Sequence, residues 1–557
     1  MSSIKRFFSN LKYEITVLIL FVLSRIPSLG NDEFNTDVWK WKSRIYDFGS
    51  GIFNLDFELT IQKYHPGVTL MWLGSLGVKI YNFYYDIFRG HPPLDDNINT
   101  IFELNFVQKL VIVIAIGFTL ASVFYVLRNL FGKKYAIPAI ILISLEPFYI
   151  ALTRVIHLEG LMSTFMIASF VWLYYYLFDT NHKSRMYVSA LFAALSILTK
   201  SSSLYLVMFT GLMMLIWYWH NRGSLKTAVS LTFFDYTKWL LSVVIFFVLF
   251  WPAMWVNPGE ALRAVYRGIF TIGVERGHEQ FFFGRLVDDP GVTFYLVVLG
   301  IRSSVYIVIG LIGALFIFKN IDKGKKNFIF YTLLFSILYL IEITIPSKKL
   351  DRYILPTIMG FGLVSTFFYH WACNKAGLFI KSRRTALLLC FIVLLPAAFT
   401  ILRLHPDYFS FYNPLLGGLK RGIFILEPKW MIGQKEVTSY FEEIKTDRGY
   451  EDFAEGESIE EFADLSGEDK KLVIGFQEKY YTQIWPFIRR TGAWAVISDL
   501  SDHAEIADFL VYPVWDDQSA GEERFVLTKV GSIQLRGVDI YNVYERTPLP
   551  DNLQVSL

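Results

Sequence analysis

Five cations stand where a membrane chain normally avoids them. Arg154, Lys200, Lys348, Lys349 and Arg352 fall at the outer ends of apolar segments, whereas the cations of membrane proteins concentrate on the inner side. A charge at the centre of a span costs about 2.5–3.5 kcal/mol on insertion scales, and less near its end. Cations gathered at the outer edge point to an anionic partner at that depth. Lipid phosphates lie there, and Arg and Lys are their usual ligands. The competing reading is that each long side chain snorkels to outer-leaflet head groups. Carboxylates share this face: Asp32, Glu33 and Asp37 in the first outer segment, and Glu159 at the outer end of a span. A carboxylate can take the proton of an incoming hydroxyl as a bond forms, and cations can stabilise a departing phosphate. Asp37 alone is also compatible with an ordinary solvated loop acid. Glu159 is more telling, because an acid next to a span is usually paired or functional.

The elements that must position these groups are apolar helices. Of the 557 residues, 54% are hydrophobic and only 18% charged, against about 25% charged in a typical soluble domain. A bilayer core needs roughly 20 apolar residues per helix, and about eleven segments qualify. They centre near residues 21, 118, 143, 167, 192, 210, 247, 305, 336, 361 and 393. The inner loops this implies each hold at least two cations: Arg128, Lys133 and Lys134, then Lys183 and Arg185, then Arg222 and Lys226. Lys319, Lys323, Lys325 and Lys326 follow, and finally Lys375, Lys381, Arg383 and Arg384. By the positive-inside rule the N-terminus is inside and the C-terminal region outside. The expected fold class is therefore a polytopic α-helical membrane protein with a small C-terminal α/β domain outside the membrane. Residues 1–402 form the transmembrane domain, with a large first outer loop at 31–105, and residues 403–557 the extracytoplasmic domain. An amphipathic stretch after Pro66 reads as an interfacial helix, and short strands are expected at Leu472–Phe476, Ala493–Ser498, Phe509–Trp515, Phe525–Val530 and Val538–Tyr544. The acidic stretch 450–470 reads as a solvated loop or helix. Cys373 falls inside and Cys390 within a span, so neither a disulfide nor a zinc site is expected. The apolar run after Lys5 and Arg6 is read as an uncleaved first helix rather than a signal peptide. No basic run with interleaved aromatics suggests nucleic-acid binding.

The same residues resemble a known family. Thr36-Asp37-Val38-Trp39-Lys40-Trp41-Lys42-Ser43-Arg44 and Tyr64-His65-Pro66-Gly67-Val68-Thr69 look like the first outer loop of bacterial relatives of the protein O-mannosyltransferases, whose superfamily includes the aminoarabinose transferases. Thr153-Arg154-Val155-Ile156-His157-Leu158-Glu159 resembles the second acidic motif, and Leu198-Thr199-Lys200 a further signature. Lys349-Leu350-Asp351-Arg352-Tyr353-Ile354-Leu355-Pro356 is similar to the family's Arg-Tyr-Leu-Pro segment. His405-Pro406-Asp407-Tyr408, Tyr412-Asn413-Pro414 and Gly417-Gly418 resemble its post-membrane signature. The family's first loop usually carries an Asp-Glu pair, whereas Val38 follows Asp37 here. Asp32-Glu33 is such a pair, but its spacing to Trp41 and Arg44 fits less well, so Asp37 is preferred as the base with Asp32 in reserve.

The resemblance implies the GT-C fold and a phospholipid carrier-dependent glycosyltransferase. Such an enzyme transfers one hexose or pentose, mannose for example, from a polyprenyl phosphate to a protein, lipid or glycan acceptor. It implies an inverting displacement with no cofactor and no metal requirement, in the plasma or inner membrane with the site on the outer face. Asp37 and Glu159 are then the catalytic acids. Arg44, His65, Arg154, His157, Lys200, Lys348, Lys349, Arg352 and Tyr353 are the candidate substrate-binding residues. Glu159, Arg154 and His157 would orient the sugar or position the first loop. His65 would sit near the donor or, as a structural residue, cap the interfacial helix. The absence of a glycine-rich phosphate loop suits a donor already joined to lipid. The rival readings are a flippase or transporter for lipid-linked sugars, and an oligosaccharide ligase of the same architecture. Transporters usually show internal repeats and mid-membrane polar residues, whereas the charges here lie at the outer edge.

Overall fold

The computed structural model describes residues 2–63, 65–94, 97–179, 182–272, 279–380, 395–454, 457 and 470–548. Helices α1 (Ser2–Leu23), α2 (Val38–Phe53), α3 (Val68–Phe88), α4 (Ile98–Phe131), α5 (Lys133–Ser144), α6 (Pro147–Thr153) and α7 (Leu158–Phe178) come first. Then follow α8 (Ser184–Thr199), α9 (Tyr205–Arg222), α10 (Leu225–Phe250), α11 (Ala253–Val256) and α12 (Pro258–Arg267). A hairpin of β1 (Gln280–Phe282) and β2 (Arg285–Val287) precedes α13 (Phe294–Arg302), α14 (Val305–Phe316), α15 (Lys323–Thr344) and α16 (Leu355–Ile380). Among the described residues five helices are long and apolar enough to cross a membrane, or up to seven if each of two bent pairs counts as one span. The chain is thus a multi-pass helical membrane protein. All the expected span centres up to residue 361 fall in helices, and the one near 393 lies outside the described residues. The helix around residue 192 is only 16 residues long, and α1 ends at Leu23.

The two bent pairs have local causes. Pro147 pushes Glu146 into an extended conformation (ψ 117°), which breaks α5 from α6 at 69°. Ser303 and Ser304 are extended between α13 and α14, which meet at 110°. The breaks satisfy one another: the Glu146 carboxylate accepts the Ser304 backbone N–H (3.1 Å) and the Ser304 hydroxyl. Broken backbone at membrane depth is tolerated where protein groups take up the freed donors. Between these breaks runs α7, apolar all round and buried along most of its length against α4, α8, α9 and α16. Its first turn carries Glu159.

The C-terminal region forms a five-stranded sheet, ordered β4-β3-β5-β7-β6, from β3 (Val473–Phe476), β4 (Trp494–Ile497), β5 (Phe509–Pro513), β6 (Phe525–Leu535) and β7 (Val538–Pro548). The β3, β4 and β5 pairings are parallel, and the β6–β7 hairpin is antiparallel. Every expected strand is present; β3, β4 and β5 differ by one or two residues at their ends, while β6 and β7 run five and four residues further than expected. The helix Glu478–Arg490, which connects β3 to β4, docks on the long segment between α1 and α4. Trp39 stacks near Trp485 (5.2 Å) and donates to the Thr482 carbonyl (2.6 Å), while Arg490 donates to Asn31 (2.9 Å) and Asn99 (3.0 Å). The stretch after Pro66 is α3, which leaves Leu76, Ile80, Phe83, Ile87 and Phe88 exposed, as an interfacial helix requires. Most of the acidic stretch 450–470 lies outside the described residues. One expectation is corrected: Cys373 is disulfide-bonded. Hydropathy assigned it a depth in the membrane, which fixes no side-chain distance; Cys390 lies outside the described residues.

Candidate active site

Glu159 is the hub. His157 is extended (φ −154°, ψ 168°) and immediately precedes α7, so Glu159 sits in the helix's first turn, where the macrodipole favours an anion. Gly160 beside it has no room for a side chain, because a Cβ there would strike the Leu152 carbonyl. The Glu159 side chain is wholly buried and meets two cations, Lys200 and Arg352, and the His157 ring. Its Oε1 accepts from Lys200 Nζ (2.9 Å) and Arg352 Nε (3.2 Å), and its Oε2 meets His157 Nδ1. A buried charge is tolerated only when paired in this way.

Each partner is set by its own element. Lys200 follows the last turn of α8, and its ammonium lies 3.7 Å from the centre of the Tyr353 ring. Next to it, the Thr199 carbonyl accepts the Gly67 N–H (3.1 Å), which ties the His65-Pro66-Gly67 turn to this point. Gly67 has φ +59° and lies against the Trp41 ring, 2.5 Å from where a Cβ would be, so only glycine fits. Arg352 lies in the single turn Asp351–Ile354, anchored by Asp351 on Arg302 Nε (3.0 Å). Arg302 also donates to the Phe409 and Phe411 carbonyls (3.0 and 2.8 Å), joining this turn to the post-membrane segment.

Asp37 stands just before α2, and its N–H donates to Asn35 Oδ1 (3.0 Å). Asn35 in turn donates to the Ile156 carbonyl (3.3 Å), which sets the first loop against the turn that carries His157. Asp37 Oδ2 lies 3.5 Å from His157 Nε2, and Oδ1 lies 4.0 Å from Lys40 Nζ. The result is a line of groups, Asp37–His157–Glu159, ending on Lys200 and Arg352. Burial pushes the Asp37 carboxyl up, but the hydrogen bond and charge of His157, helped by Arg352 and Lys40, outweigh it and hold the group far below its ordinary range. Burial, with Lys200 next in effect, lowers His65 to about 3, so its ring is neutral. Replacing His157 with Gln is expected to move the acidic limb of the pH–rate profile upward by about 1–3 units, because an opposite charge beside Asp37 is lost. A limb that stays in place would remove His157 from control of Asp37.

Asp37, Arg44, His65, His157, Glu159, Lys200, Lys348, Arg352 and Tyr353 line one cavity of about 1050 Å³. Two of the sequence-derived residues do not. Lys349 pairs with Asp289 (2.6 Å), and Arg154 turns the other way to Asp32 (2.8 Å). Asp32 also holds Lys109 (2.8 Å), while Arg154 donates to the Arg25 and Pro27 carbonyls (2.5 and 2.7 Å). Beside it, burial pushes the Glu33 carboxyl well up, and its Oε2 accepts from Gln434 (3.0 Å). The Asp32-Glu33 pair thus fastens the first loop and lines no part of this cavity. Asp32→Asn is expected to cost about 3 kcal/mol, the low end for breaking a buried ion pair, because Lys109 and Arg154 keep their carbonyl partners. Thermal unfolding of the purified protein checks this, and turnover per folded molecule should stay near normal. Sequence reasoning missed Trp430, whose ring lies 5.0 Å from His157 and 5.3 Å from Arg352. No spacing signal links it to either residue.

No family model matches the chain, and no curated protein does. Among solved structures it is similar to ArnT from Cupriavidus metallidurans in the apo state, with 14% identity, a TM-score of 0.46, and 96% of this chain and 98% of that chain covered. The same protein bound to undecaprenyl phosphate gives 13%, a TM-score of 0.42 and the same coverage. The Archaeoglobus fulgidus oligosaccharyltransferase in the apo form gives 10% and a TM-score of 0.43, covering 96% of this chain and 76% of that one.

Proposed function

We propose that this protein is a membrane glycosyltransferase that moves one sugar from a polyprenyl phosphate to an acceptor hydroxyl, with inversion at C1 and Asp37 as general base. One observation carries the reading. Five separate stretches of the sequence, each resembling part of a GT-C transferase motif, contribute to the walls of a single cavity that pairs an accessible carboxylate with a row of cations. In the proposed step the acceptor oxygen attacks C1 and its proton passes to Asp37. The C1–O bond to phosphate breaks, and the electron pair leaves on the phosphate oxygen. Lys200, Arg352 and Lys348 stabilise that charge. A phosphate among these cations also offsets the field that depresses Asp37, so the carboxylate becomes a better base once the donor is bound.

The direct test uses purified protein in lipid nanodiscs with a panel of radiolabelled polyprenyl-phosphate sugars and membranes as acceptor source. Donor-dependent labelling of an acceptor is expected, and donor that is merely carried across a vesicle membrane without labelling would favour transport. The proposed orientation has its own check. Alkaline phosphatase fused after the C-terminal sheet should be active, and a silent phosphatase beside an active cytoplasmic reporter would invert the topology.

A further inference from the structure

A second cavity, of about 250 Å³, adjoins the large one, and Asp37, Lys348, Leu350 and Arg352 line both. In its remaining wall Thr36 comes from the first loop and Glu279 and Gln280 from the start of the β1–β2 hairpin, while the chain after the membrane helices supplies Glu427, Pro428, Lys429, Lys479 and Tyr480. We propose that this smaller cavity is the acceptor subsite, and that it takes a compact headgroup bearing the reacting hydroxyl and, close by, a phosphate or carboxylate. The inference rests on the transferase reading above and adds to it the class of acceptor and a role for the C-terminal sheet domain.

Size argues first. At about 30 Å³ for each water, the cavity holds roughly eight waters, enough for one sugar ring or a similar headgroup and too little for a lipid chain beside a sugar. Position argues second. A group seated here reaches Asp37 from a cavity that Glu159 and Lys200 do not line. Charge argues third. Glu427 is buried, and it is occupied by Lys429 (3.1 Å) and Lys479 (3.6 Å); Lys479 also holds Asp516 (3.1 Å). Each ammonium has three donors, so both lysines keep donors to spare, and Lys348 makes no ion pair among the described residues. Asp37 and Glu279 line the cavity too, but its four cations, Lys348, Arg352, Lys429 and Lys479, outnumber its three carboxylates, and an anionic group suits Lys429 and Lys479, which the donor phosphate does not engage. The wall is also preformed. The Leu426 carbonyl accepts from Tyr412 (2.7 Å), the Met431 N–H donates to Gln483 (2.8 Å), and Trp430 packs on Arg352. Little ordering is then left to be done on binding.

Membranes of the source cell lacking this enzyme supply the native acceptor for the test. Purified full-length protein and labelled polyprenyl-phosphate sugars are added, and the labelled headgroup cleaved from the product is run on anion exchange. Retention is expected, and phosphatase treatment of the retained material tells phosphate from carboxylate. A labelled headgroup that elutes with neutral sugars overturns the proposal. Lys429→Met and Lys479→Met should each raise the acceptor concentration for half-maximal transfer by about 10–100-fold with donor binding kept, and Lys479→Arg should restore most of the loss. Unaltered acceptor dependence in both Met variants, or equal loss in Lys479→Met and Lys479→Arg, also overturns it. Wild-type protein that labels nothing with any donor counts against the transferase reading itself, and the subsite falls with it. Normal labelling by the Met variants counts against the subsite alone.

Discussion

Asp37→Asn should lower the transfer rate by about 10²–10⁴-fold, the usual contribution of a positioned general base. The acceptor hydroxyl is a poor nucleophile and must lose its proton as the bond to C1 forms. Asn keeps the size of Asp37 but cannot take that proton. Asp37 lines the cavity, as Asp47 of the same loop does, and is the one placed against His157 at 3.5 Å, with about a third of its side chain exposed. The lysines and arginine proposed for the phosphate are untouched by the change, so donor binding should survive. Loss of turnover at constant donor affinity is the signature of an interaction made only in the transition state. The depressed Asp37 carboxyl adds a pH expectation: the group is ionised well below pH 4, so its protonation should not limit the free enzyme between about pH 5 and 7. Measuring turnover and donor binding in Asp37→Asn and Asp32→Asn side by side decides the assignment. A dead Asp32 variant beside a normal Asp37 variant would move the base to the other acid, against the burial of Asp32 between Lys109 and Arg154.

The helices were legible because their signal is composition over some 20 residues, which needs no tertiary information. The strands of the C-terminal domain were legible for a similar reason, through β-rich runs between polar breaks. Pairings between distant segments were not. Lys348 and Lys349 are adjacent and look equivalent in sequence, yet Lys349 is taken by Asp289 on the loop after the β1–β2 hairpin, while Lys348 lines both cavities. Arg154 and His157 share one outer end. The turn between α6 and α7 sends Arg154 to Asp32 and His157 to Asp37 and Glu159. Two residues of spacing in an irregular turn carry no information about direction, whereas the same spacing in a helix would. The stitch of Glu146 to Ser304 and the edge-on packing of Trp430 against His157 come from long-range packing, so they surface only in three dimensions.

Glu159→Gln should have the opposite signature in binding and a large effect on both stability and rate. The carboxylate is fully buried, and three groups, Lys200, Arg352 and His157, share its one negative charge. Removing one partner of a buried ion pair costs about 3–5 kcal/mol. The upper end is expected here, because two permanent cations and a ring bridging two carboxylates lose their common partner at once. Gln can still accept one hydrogen bond from Lys200, but its amide nitrogen meets the His157 ring as a donor. That disturbs the ring which orients Asp37, so turnover should fall by about 10²-fold or more even in molecules that remain folded. Donor binding should not fall with it. Lys200 and Arg352, freed of their internal anion, offer more uncompensated charge to a phosphate, so polyprenyl phosphate should bind as tightly as before or more tightly. A ligand that binds only the folded protein stabilises it in proportion to RT ln(1 + [L]/Kd). Added polyprenyl phosphate should therefore restore more of the unfolding midpoint in Glu159→Gln than it adds to the wild type. A variant that loses donor affinity instead would mean that Glu159 contacts the sugar itself. A variant with unchanged unfolding midpoint and turnover would remove the hub from the mechanism, and the line from Asp37 through His157 would have no function to explain it.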